Sequence, residues 1–168
     1  FSHDAIREVA YADIGPAWRR RLHGRVADAL ELVHVHDLDA VSAELAVHCQ
    51  YGGRPAQALT WYQRAGAVAA ARFDHLRSAA YLAAALSLLD ALPPEGDRIT
   101  LEFSLLIAQI GNLVVTEGFT GPQMLKTFER IAAIKDDLKD QRLRFVAVRD
   151  LRWYSSATGD MNRSLDHA

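Results

Sequence analysis

The chain has 168 residues, 50% apolar and 24% charged, which suits one buried core or a short stack of helices and is too apolar for a disordered tail. A formal net charge of −2 gives no field to draw in nucleic acid or an acidic membrane, and the lone Cys49 excludes an internal disulfide framework. With 28 alanines, 5 prolines and no sustained β alternation past the extreme N-terminus, the residue usage is helical.

In chain order, residues 4–14 and 16–33 read as two helices broken at Gly15-Pro16, with Pro16 suited to a first helical position. On the second, Trp18, Leu22, Val26, Ala29, Leu30 and Val33 form the expected buried face. After "HVHD", residues 39–51 form an amphipathic helix through Val41, Leu45, Ala46 and Cys49, stopped by "YGGRP". Pro55 starts a helix to about Phe73, whose stripe is Ala58, Leu59, Tyr62, Ala65, Gly66, Ala69 and Phe73. Further helices are expected over 75–91, 97–117, 122–138 and 140–158, the last ended by Gly159-Asp160. The apolar run "LLIAQIGNLVV" is short for a bilayer and carries Gln109 and Asn112, so a cytoplasmic chain without a membrane partner is expected.

Short connections make successive helices antiparallel neighbours. Small residues recur where helices must approach, at Ala46, Ala65-Gly66 and Ile110-Gly111, and Gly52 and Gly118 lie about two 34-residue tetratricopeptide periods apart. Counting from Gly66, Ser78, Leu82 and Ala85 supply a small, large, small pattern at tetratricopeptide spacing. The expected fold is all-α, a tetratricopeptide-like α-solenoid of antiparallel helix pairs, with an irregular helical bundle as the alternative. The next turn, at Gly159, comes early, so the later repeats are degenerate.

The opening "FSHDAIREVAYADIGPAWRRRLHGRVADALE" resembles the junction that follows the nucleotide-binding module in STAND-class signalling ATPases. There a winged-helix domain ends in a strand bearing Phe-x-His, and a helix of the form His-Asp-x-Ile-Arg-Glu leads into helical repeats. Phe1, His3, Asp4, Arg7, Glu8, Tyr11, Arg20 or Arg21, Leu22 and His23 carry the match. "AELAVHCQYGGRPAQALTWYQRAGAVAAARF" and "TEGFTGPQMLKTFERI" are similar to the repeats of large bacterial members, which are transcriptional regulators or nucleotide cyclases. The resemblance implies junction helices over 1–36 and tetratricopeptide-like repeats over 37–168, cut from a longer protein at both ends. It also implies that His3 is a sensor histidine toward the phosphate of bound ADP. The phosphate-cradling G-x-x-x-x-G-K-[ST] loop is not in this sequence, so no cofactor is expected here.

Other constellations read as structure. Arg19-Arg20-Arg21 fan around a helix at about 100° per residue, and Arg21, Arg25 and Asp28 share a flank, so direct nucleic-acid binding is not expected. His34, His36, Asp37, Asp39 and His48 have zinc-type donors without a closed zinc spacing. Cys49 sits on an apolar face with His48 turned away, Ser155 and Ser156 lack a nucleophile elbow, and Asp136-Asp137 between Lys135 and Lys139 is a solvated run; no enzyme is expected. Trp61, Tyr62, Tyr81, Trp153 and Tyr154 are the candidate partner-binding residues, for a protein or small-molecule inducer on a concave repeat surface. Within Trp61/Tyr62 and Trp153/Tyr154, adjacent side chains diverge, so one of each pair packs inward. A missing next repeat leaves an apolar face on the last helices, where self-association is expected.

Overall fold

The computed structural model describes residues 13–92 and 98–159. His3, residues 4–12 of the helix expected over 4–14, and the end of the last expected turn lie outside the described residues. Among the described residues there are seven α-helices and no strand, so the described part of the chain is all-α. They are α1 (Pro16–Val33), α2 (Ser42–Tyr51), α3 (Pro55–Ala71), α4 (His75–Ser87), α5 (Arg98–Thr116), α6 (Pro122–Ile134) and α7 (Gln141–Thr158). Short 3₁₀ turns follow α4 at Leu89–Ala91 and α6 at Lys135–Asp137. Proline opens α1, α3 and α6 where its missing N–H costs nothing, and the carboxylates of Asp74 and Asp140 accept from Arg77 N and Arg142 N to cap α4 and α7.

Helix ends share one device. Gly53, Gly118 and Gly159, just past α2, α5 and α7, all adopt a left-handed φ of 73–74°. Past α3 the same role falls to Phe73, with φ 60°. A bulky side chain in that region costs about 1–2 kcal/mol. Phe73 nonetheless stands 83% exposed, outside the α3 stripe to which its spacing assigned it, because the turn carries it out of the helical register.

Two compact units divide the chain, one reaching to Ala65 and the other starting at Gly66. In the first, α1 packs on α2. The face of α1 that is buried is not the expected one: Gly24 and Ala27 are covered, while Trp18 and Val33 are 57% and 74% exposed. Backbone approach decides this. A Cβ on Gly52 would lie 3.1 and 3.2 Å from Gly24 N and Cα, so the crossing admits only the smallest residues and turns the larger apolar ones outward. Leu45, Ala46 and Cys49 of α2 are fully buried as expected. The Asp28 carboxylate is not shared with Arg21 and Arg25; Arg54 takes it as a fork, at 2.5 and 3.1 Å. The first half of α3 is tied in by Trp61 Nε1 donating to Glu31 (3.2 Å), Tyr62 O–H to Gln50 (2.7 Å) and Arg64 pairing with Asp39 (2.5 Å).

In the second unit α4 packs on α5, α5 on α6, and α6 on α7. The positions singled out by tetratricopeptide spacing meet: Ser78 Oγ donates to Gly66 O at 2.9 Å, and a Cβ on Gly66 would lie 3.2 Å from Leu82 Cγ. Gly111 differs, since nothing lies within 4 Å of where its Cβ would be; it is not a close-packing position. Phe103, Leu106, Leu113, Met124, Phe128, Ile131, Leu151 and Tyr154 build the main core, in which the Phe128 and Tyr154 rings stack at 4.0 Å. Buried Glu102 of α5 accepts a fork from Arg130 of α6, at 2.5 and 2.9 Å. The apolar run expected to be short for a bilayer belongs to the 19-residue α5, which by length and composition meets that of a membrane crossing. A third of that stretch is buried inside the fold, and its polar residues Glu102 and Asn112 are buried and bonded to Arg130 and His75.

Candidate functional site

Of the five aromatic candidates, two are spent on the fold. Tyr62 is 6% exposed and bonded to Gln50, and Tyr154 is 8% exposed under Phe128; neither presents a ring to a partner. Their neighbours diverge outward. Trp61 is partly exposed, with the Arg64 guanidinium 5.4 Å from its ring centroid, and Trp153 is 48% exposed, edge-on to Phe119 at 5.2 Å. Tyr81 is partly exposed on α4. Along the last helix Phe145 stands 69% exposed beside a cleft that it lines with Val148 and the polar Lys135, Asp136, Gln141 and Arg144.

Two further places combine a cleft with polar chemistry, and sequence reasoning had singled out neither. The first is in the unit that starts at Gly66, where Phe73, Asp74, His75, Leu76, Val115 and Thr116 line an opening of about 330 Å³. Asn112 Nδ2 donates to Ala108 O, so its Oδ1 faces His75 Nδ1 at 3.0 Å; that bond requires the proton on Nδ1, because an amide oxygen only accepts. Phe73→Gly is expected to raise the unfolding free energy by about 1 kcal/mol, since it relieves the left-handed strain and loses almost no burial. Urea denaturation of the two proteins measures it.

The second place lies where α1 and α2 cross. His23 Nδ1 and His48 Nδ1 are 2.9 Å apart, and the Tyr51 ring lies 5.1 Å from that of His23. Across that contact one imidazole donates and the other accepts. Burial, and then the neighbouring His48, hold His23 below its ordinary range. Pro16, Arg19, Arg20, His23 and Tyr51 line a cleft of about 350 Å³ there. A signal for the pairing was present: His23 precedes Gly24 and His48 lies one turn before Gly52, the two glycines of the crossing.

The remaining candidates do not converge. Among the described residues no group of three or more His, Cys, Asp or Glu is placed to hold a metal. Asp37 accepts from Ala40 N and Asp39 pairs with Arg64, while His48 turns to His23. Cys49 is buried, and burial pushes its thiol up, away from the thiolate a nucleophile needs. Ser155 is buried and Ser156 exposed on α7.

Fold and clefts together define an all-helical protein with short-turned helices and open surface hollows. Comparison with family models, with curated proteins and with solved structures finds no match.

Proposed function

We propose that the chain is a non-catalytic, tetratricopeptide-like arm of a cytoplasmic STAND-type transcriptional regulator, one that engages a protein or small-molecule inducer on its repeat surface. The observation that carries this reading is the seam of Gly66, Ser78 and Leu82. A serine twelve residues on bonds the glycine carbonyl, and a leucine sixteen on covers the glycine, the small-against-large contact that a stacked helix pair requires. Recurrent left-handed helix ends at Gly53, Phe73, Gly118 and Gly159 support it, since they repeat one turn geometry along the chain. So do the outward rings of Trp61, Tyr81 and Trp153, which supply flat apolar area where a partner docks. Binding that favours one orientation of the arm shifts the output domain by the difference in affinity between its two states.

Reading the intact gene tests the context. A G-x-x-x-x-G-K-[ST] motif is expected upstream of Phe1 and a helix-turn-helix domain elsewhere in the same reading frame. A cyclase domain in place of the latter moves the arm to a nucleotide cyclase, and no upstream P-loop leaves a free-standing adaptor.

A further inference from the structure

Where the start of α4 meets the end of α5, six residues line the opening of about 330 Å³, all in the unit that starts at Gly66. Its rim is apolar, since Phe73, Leu76 and Val115 are all exposed. The Phe73 ring stands edge-on to that of His75, their centroids 6.4 Å apart. A left-handed turn holds it there, a conformation that glycine would adopt without strain. The side chain adds almost nothing to the core, so this strain is kept for a task other than folding.

The polar side chains of the lining are Asp74, His75 and Thr116, and each presents lone pairs without a spare proton. Neutral His75 gives its Nδ1 proton to Asn112 Oδ1 at 3.0 Å, so its Nε2 holds a lone pair, and that atom is not among the buried ones. Thr116 Oγ1 donates its proton to Asn112 O at 3.0 Å. Asp74 accepts from Arg77 N at 3.1 Å and pairs with the Arg77 guanidinium at 3.4 Å, which offsets its charge. Acceptors without donors turn away a carboxylate or a phosphate and reward a group that brings its own proton.

We propose that this cleft binds a small neutral aromatic molecule carrying one O–H or N–H donor, a phenol or an indole, with the donor on His75 Nε2 and the ring against Phe73. Size sets one limit: the opening lies at the small end of ligand cavities and takes one ring system, not a nucleotide. Ring chemistry sets another, because an aromatic guest packs edge-to-face or offset on Phe73 where an alkyl chain does not. Charge sets the third, since Arg77 already meets Asp74 and a cation gains little there. The assignment uses only this helix junction and holds whatever larger protein the chain serves.

The test titrates the whole chain with p-cresol at pH 8, where an ordinary imidazole is neutral, and follows the histidine side-chain ¹⁵N resonances and the backbone amides of Leu76 and Val115. A saturable shift of His75 Nε2 is expected, with a dissociation constant on the order of 1 mM, as suits a single ring. 4-Methylanisole keeps the ring and lacks the donor, and is expected to bind about tenfold more weakly. His75→Phe abolishes that difference, read at Leu76 and Val115. Phe73→Gly weakens p-cresol about tenfold while the protein becomes more stable, so a lost fold cannot account for the loss of binding. Shifts that rise linearly with p-cresol, equal affinity for 4-methylanisole or benzoate, or affinity unchanged in Phe73→Gly overturn the proposal. So does tighter binding of N-acetyltyrosinamide than of p-cresol, which would make the guest a side chain of a protein partner.

Discussion

Phe128→Ala is expected to lower the unfolding free energy by about 3–5 kcal/mol, the largest single effect predicted for this chain. Phe128 is buried on α6, and its ring lies 4.0 Å from that of Tyr154 on α7 at an interplanar angle of 12°. Truncation removes a whole ring from water-free surroundings, opens a cavity between two helices, and strips one face of Tyr154 of its contacts. Because α6 also packs on α5, the loss spreads through the core that Met124 and Ile131 share with Leu106 and Leu113. Urea denaturation followed by circular dichroism gives the value, provided the m-value is unchanged. Phe145→Ala is the control: the same chemical change at an exposed site on α7 costs less than about 0.5 kcal/mol. Equal losses at the two sites would mean that the packing described here is wrong.

How much of this was readable in advance depends on which force sets each feature. Helix positions follow local rules, and Pro16, Pro55 and Pro122 at the starts and Gly53, Gly118 and Gly159 past the ends mark them within a few residues. The buried stripe of α2 was legible too, because Leu45, Ala46 and Cys49 contrast with polar neighbours. On α1 the hydrophobic pattern misleads, since it weighs Trp18 and Val33 above Gly24, and a glycine contributes nothing to an apolar stripe. What decides that interface is how near two backbones come, a pairwise quantity that one helix's sequence does not contain. Gly111 shows the converse: it looks like a contact glycine and stands open. The His23–His48 pair depends on the same crossing, so it became visible only once the Gly24–Gly52 approach was known. Phe73 escaped because its spacing continues the α3 stripe, whereas the helix ends at Ala71 and the chain turns left-handed at Phe73, a conformation its residue type does not announce.

Gly52→Ala and Gly111→Ala are expected to change stability in opposite directions, although the chemical change is identical. Gly52 has φ −72°, a conformation alanine adopts freely, so backbone strain plays no part. The new methyl would lie 2.8 Å from His48 O and 3.1 Å from Gly24 N, both backbone atoms that no side-chain rotation can clear. Helix α1 must therefore lift from α2, at a cost of about 1–3 kcal/mol. That separation also parts His23 from His48, so their resonances shift with the loss of stability. At Gly111, inside α5, nothing lies within 4 Å of the added carbon, and alanine removes the entropic penalty of a helical glycine. A gain of about 0.5–1 kcal/mol follows there. If Gly52→Ala proves neutral, the two backbones do not approach as closely as the Gly24–Gly52 contact requires.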